Sequence, residues 1–122
     1  MPMTHLQQPQ REALIELMCL AIVTDGRISP AEQTAFHHAL KKLGWESEKP
    51  RELVLIRGLQ EANEIWEDEK CVVAFLASRC ALFETREEHE AALKFLMLVL
   101  EIDGMGEEKD TFLARVQAAF NE

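Results

Sequence analysis

A chain of 122 residues that is 48% hydrophobic and 29% charged can build one hydrophobic core and is too apolar for a disordered segment. Its 22 acidic against 13 basic residues give a formal net charge of −9, which repels phosphate backbones and anionic lipid, so nucleic acid is not expected as a partner. Divalent cations and basic protein surfaces are the natural attractors.

The opening, MPMTHLQQPQRE, has no apolar run behind a basic flank, so residues 1–9 are expected to form a loose arm and not a secretion signal. Between Arg11 and Thr24, Leu14, Ile15, Leu17, Met18, Ala21 and Ile22 recur at helical spacing, which predicts a first helix. Ser29, Pro30 and Glu32 have the order of an N-cap, a first helical residue and a capping-box partner, so a second helix starts there and ends at Gly44. Pro50 restarts the chain, and Leu53, Val54, Ile56, Leu59 and Ala62 predict a third helix, weakened by Gly58 and ending at Asn63 or Trp66.

Asp68 caps a fourth helix through CVVAFLASRCALF, and Thr85 with Glu88 makes a second capping box that opens a fifth. The fifth helix runs to about Ile102 and is apolar on nearly every side from Phe95 to Leu100, as expected of a helix surrounded by others. That apolar run is far short of the roughly 20 residues a membrane helix needs, so no membrane insertion is expected. A last helix from Glu107 to Phe120 carries Phe112, Leu113, Val116 and Phe120 on one face. The expected fold is all-α: a single domain over residues 10–122, with about six to seven helices around a central helix at about 86–102.

Cys19, Cys71 and Cys80 cannot all pair, lie among apolar residues and form no Cys-x-x-Cys motif. They read as core positions in a protein of the reducing cytoplasm.

The stretch TDGRISPAEQ, from Thr24 to Gln33, has the order of the back half of an EF-hand calcium loop. Shifted by 78 positions, Asp25-Gly26 falls on Asp103-Gly104 and Glu32 on Asp110, while Leu17, Leu20 and Ile22 fall on Phe95, Leu98 and Leu100. The half loop therefore occurs twice, each time after an apolar helix, which suggests two pseudo-repeated helix-turn-helix units. EF-hand loops take side-chain ligands mainly at positions 1, 3, 5 and 12, with Gly at 6. The first copy offers Ala21, Val23, Asp25 and Glu32 there, and the second Val99, Glu101, Asp103 and Asp110. Neither is a complete loop, and an ordinary EF-hand sensor is not expected.

The glycines and caps can serve purely as helix punctuation. Asp25 and Asp103 are not explained that way, because an anion at a helix C-terminus faces the negative end of the macrodipole and costs about 0.3–1 kcal/mol. A divalent cation held between Asp25, Glu32, Asp103, Asp110 and free helix carbonyls reverses that penalty, and an all-oxygen site suits Ca²⁺ or Mg²⁺ better than Zn²⁺.

The paired turns, with the apolar helix before TDGRISPAE, the apolar helix before IDGMGEEKD and the helical section between them, resemble the TerB-like domains. That family includes tellurite-resistance TerB proteins and the N-terminal domain of the DjlA co-chaperones. The resemblance implies an all-helical domain of this size with a metal site at the acidic residues around the two turns, which here correspond to Asp25, Glu32, Asp103 and Asp110. It also implies a stress-linked or tellurite-resistance-related setting. The second copy departs from the first at Gly106, Glu107 and Asp110, which stand where Ile28, Ser29 and Glu32 stand. The His-Pro-Asp triplet of a J domain is absent, so co-chaperone activity does not carry over.

His37 and His38 are adjacent on one helix, about 100° apart, and read as rim residues. His89, in EEHE, reads as part of a solvated charged face. Ser29 is accounted for as a cap and Ser78 as a small position in a buried helix, so no catalytic set emerges and no enzyme is expected. The competing reading is an interaction or scaffold module in which Trp45, Trp66 or an apolar face binds a protein partner or a second copy of the chain.

Overall fold

The computed structural model describes residues 7–25, 30–43, 50–100 and 107–120, without the side chains of Asp25, Glu32, Lys42, Leu43 and residues 107–109. The described residues form six α-helices and no strand: α1 (Gln8–Asp25), α2 (Pro30–Leu43), α3 (Arg51–Ile65), α4 (Glu69–Cys80), α5 (Arg86–Leu100) and α6 (Glu107–Phe120). The all-α expectation holds, and α6 has the bounds its apolar face predicted.

Local chemistry sets several of the ends. Asp68 Oδ1 accepts from the backbone N–H groups of Lys70 and Cys71 at 3.1 and 3.3 Å, an N-cap that satisfies two of the donors a helix start leaves open. The Thr85 hydroxyl accepts from Glu88 N at 3.1 Å, while Glu88 Oε1 accepts from Thr85 N at 3.1 Å and from Glu84 N at 2.8 Å, a complete capping box. At the first helix, Gln7 N donates to Gln10 Oε1 at 2.8 Å, the same back-reach from the third helical residue. With Pro9 in the first turn, where its missing N–H does no harm, α1 begins at Gln8, two residues inside the segment expected to be a loose arm.

Among the described residues the most fully enclosed helix is α1, whereas α5, the described part of the segment expected at the centre (about 86–102), keeps an exposed side. Leu14, Ile15, Leu17, Met18 and Cys19 have no exposed surface, and α1 packs against α3, α4, α5 and α6. In contrast, α5 buries Ala92, Phe95, Leu96, Val99 and Leu100 but leaves Met97 and Leu98 40% and 50% exposed. Six consecutive apolar residues cover every side of a helix, yet only the sides that meet a neighbour are buried. The neighbours of α5 are α1, α2 and α6.

Long-range contacts fix how the helices run. Gln10 Nε2 donates to Leu82 O at 2.9 Å and Arg79 Nε to Glu16 Oε1 at 3.2 Å, so α4 runs antiparallel to α1. Phe83 and Phe120 meet edge to face with centroids 5.7 Å apart, and Cys80 Sγ donates to Val116 O at 3.9 Å, so α6 ends where α4 ends. His89, in the first turns of α5, stacks on Phe120 at 4.4 Å, so α5 starts at that same end.

Two side chains depart from expectation. Cys19 and Cys80 are core residues, but Cys71 is exposed, because its neighbour Val72 is the residue of that turn facing the core. Ser78 is likewise exposed rather than buried, and its hydroxyl donates to Phe75 O at 2.9 Å.

Candidate functional site

The bundle has two unlike ends. At one, α1 begins, α4 and α6 finish and α5 begins, held by the Gln10, Phe83, His89 and Phe120 contacts above. At the other, α1 finishes at Asp25 and α4 and α6 begin at Glu69 and Glu107. Four residues of sequence separate α1 from α2, whose first turn holds Glu32. The last turn of α1 and the first turn of α6 thus lie at one end of the fold.

That end is indented. A cleft of about 380 Å³ is lined by Leu20 and Thr24 of α1, Trp66 at the C-cap of α3, Val72 and Leu76 of α4, and Thr111, Phe112 and Arg115 of α6. Leu20, Val72, Leu76 and Phe112 are core side chains that form an apolar floor, whereas Trp66 is 40% exposed. Arg115 Nη2 donates to Glu69 Oε2 at 2.7 Å, tying α6 to the start of α4. Thr24 directly precedes Asp25 and Thr111 directly follows Asp110, so a sequence neighbour of each of these two predicted ligands lines the cleft.

Of those four ligands, Asp110 is an exposed residue of α6. Asp25 and Glu32 are placed by backbone only, as the last residue of α1 and a first-turn residue of α2, and Asp103 lies outside the described residues. Glu101, Gly26, Ser29, Gly44, Trp45 and Gly104 lie outside them as well. Among the described residues no group of three or more His, Cys, Asp or Glu stands close enough to hold a metal ion. His37 and His38 are exposed, as their spacing predicted.

The opposite end holds what the sequence did not reveal. His89 is half-buried, and its Nε2 lies 2.6 Å from Phe83 O. A carbonyl only accepts, so that nitrogen carries the hydrogen and the ring orientation is fixed. Cys80, Phe83, Glu84, His89, Ala119 and Phe120 border a hollow of about 490 Å³ there. Burial pushes the Cys80 thiol up to about 11 and the Cys19 thiol up to about 12, so neither is a nucleophile at neutral pH.

Comparison with protein-family models, curated proteins and solved structures gave no match. No helix of the described residues is long and apolar enough to cross a membrane.

Proposed function

We propose that this chain is a non-enzymatic, acidic helical domain of the cytoplasm that binds a divalent cation, Ca²⁺ or Mg²⁺ ahead of Zn²⁺, at its two Asp-Gly turns. Asp25, Glu32, Asp103 and Asp110 are the ligands in this reading, which follows the resemblance to TerB-like domains and its stress or tellurite-resistance setting. The observation that supports it is that Thr24 and Thr111, the neighbours of Asp25 and Asp110, line the same cleft. That shared cleft supports a reading in which carboxylates far apart in sequence, with helix-terminal carbonyls, offer the oxygen ligands hard cations accept. The test is thermal unfolding of chelator-treated protein with each cation added in turn, since a ligand bound to the native state raises its midpoint by mass action. A saturable rise for one cation that disappears in Asp25→Asn/Asp103→Asn supports the site.

The second reading, a protein-interaction or scaffold module with purely structural turns, is favoured by the 40% exposure of Trp66 at the cleft. Indole rings half in water over an apolar floor are typical of binding anchors. Insensitivity to every cation, with dimerisation seen by size exclusion and light scattering, supports this reading in the form of self-association.

A further inference from the structure

We infer that the cleft between α1, α4 and α6 is a docking site for a basic, amphipathic segment of a partner protein, which seats one large apolar side chain on the Leu20, Val72, Leu76 and Phe112 floor beside Trp66. This goes beyond the cation reading and does not depend on it.

The lining sets the chemistry of the anchor. At about 380 Å³ the cleft is at the small end of the roughly 300–1,000 Å³ range of ligand pockets, enough for one phenylalanine or leucine side chain with its local backbone. The floor is apolar, while Thr24 and Thr111 are exposed on two sides and offer hydroxyls to a peptide N–H or C=O. Trp66 supplies a rigid flank whose burial on binding adds apolar area at little loss of side-chain freedom.

The rim sets the charge of the flanks. Glu67, Asp68 and Glu69 adjoin Trp66, and Asp110 adjoins Thr111, all exposed. Among the described side chains the cations nearby are Lys70 and Arg115, and Arg115 is already engaged by Glu69 at 2.7 Å. A formal net charge of −9 extends the same sign over the molecule, so a basic segment is steered in and an acidic one repelled. The exposed strip of α5 around Leu93, Met97 and Leu98 is bordered by Glu90 and Lys94, one charge of each sign, and so offers no acidic rim.

The probe is a short synthetic peptide with a leucine-phenylalanine pair flanked by lysines, titrated into chelator-treated protein and followed by amide and indole NMR shifts. Its counterpart with every lysine replaced by glutamate is the control. The lysine peptide is expected to saturate the indole signal of Trp66 and the amides of Thr24 and Thr111, with weaker binding at high salt. Thr111→Trp, which fills the cleft from an exposed position, and Trp66→Ala are each expected to weaken it by about tenfold or more. Glu67→Lys/Asp110→Lys is expected to weaken it while the protein stays folded. The inference is overturned by no saturable binding, by equal binding of the glutamate peptide, by Thr111→Trp and Trp66→Ala without effect, or by loss only in Met97→Ser/Leu98→Ser on α5. Because the titration is run without cations, failure here leaves the cation site standing, and failure of the cation site leaves this one standing.

Discussion

Gly58 of α3 lies so close to Cys19 of α1 that a Cβ at residue 58 would come within 2.9 Å of the Cys19 Sγ. The thiol has no exposed surface and donates to Leu55 O at 3.6 Å, so it is held between two turns of α3. Glycine inside a helix costs about 0.5–1 kcal/mol relative to alanine, and here it lets α1 and α3 approach. Gly58→Ala is therefore expected to destabilise the fold by about 1–3 kcal/mol despite its better helix propensity. In urea unfolding, adding Cys19→Ala should recover part of that loss, because the two changes share one contact. A more stable Gly58→Ala would show that the helices have room.

The three thiols differ in kind. Cys71 is exposed, whereas Cys19 and Cys80 are buried and pushed up to about 12 and about 11 by burial. A thiol reagent should modify one cysteine of the native protein and all three after denaturation. The reaction at Cys71 should be slower than for an ordinary exposed thiol, because its hydrogen bond with Asp68 raises its pKa and only the thiolate attacks. Asp68→Asn keeps a capping side chain and should speed it. Equal reactivity of all three native thiols would contradict the described core.

Arg79 joins three helices: it pairs with Glu16 of α1 at 3.2 Å and Glu61 of α3 at 2.9 Å, and its guanidinium lies 4.1 Å from the centroid of the Phe75 ring. Burial raises the Glu16 pKa and Arg79 pulls it back. Arg79→Ala should cost about 1–3 kcal/mol at neutral pH, mostly from the half-buried Glu16 left without its counter-charge. A carboxyl whose folded pKa is raised binds its proton more readily folded than unfolded, so it weakens the fold above that pKa. The deficit of Arg79→Ala should accordingly shrink as pH falls through the raised Glu16 pKa, which paired urea titrations at neutral and acid pH would read. A deficit that does not change with pH would assign the loss to packing on Phe75.

The capping box of α5 has the opposite sign. Hydrogen bonds from the Thr85 backbone and the Gln10 side chain hold the Glu88 carboxyl below its ordinary value of 4.5. Its contribution is complete above pH 4.5 and is lost as pH falls through the depressed folded value. Thr85→Ala should cost about 0.5–2 kcal/mol at neutral pH, and Glu88→Gln should flatten the acid limb of the stability curve. An unaltered acid limb in Glu88→Gln would remove the carboxylate from that account.

Helix starts were legible because capping is a local chemistry. Asp68 and the Thr85–Glu88 pair announced themselves within four residues of chain, and α6 showed its buried stripe of Phe112, Val116 and Phe120. The identity of the most enclosed helix was not legible. Both α1, at Leu17–Val23, and α5, at Phe95–Leu100, carry unbroken apolar runs, and which of them has more neighbours depends on contacts such as Arg79 to Glu16 and Gln10 to Leu82, which no local pattern encodes. Gly58 looked like a weak point in α3 because its reason lies on another helix, at Cys19. His89 looked like one more member of an acidic run, and only the return of Phe120 to the start of α5 made it a packed residue. For the candidate site, the sequence supplied the repeat of carboxylates and the fold supplied the common end of α1 and α6 on which Thr24 and Thr111 sit.

The proposed cation site at the two Asp-Gly turns is tested most directly by calorimetric titration of Ca²⁺, then Mg²⁺, into chelator-treated protein beside Asp25→Asn/Asp103→Asn. Saturable binding to the native chain and none to the double variant are expected, with the apo variant as stable as the native protein or more so, because an anion has left the C-terminus of α1. No saturable binding by either cation at millimolar concentration, or identical binding by the double variant, would contradict the proposed site.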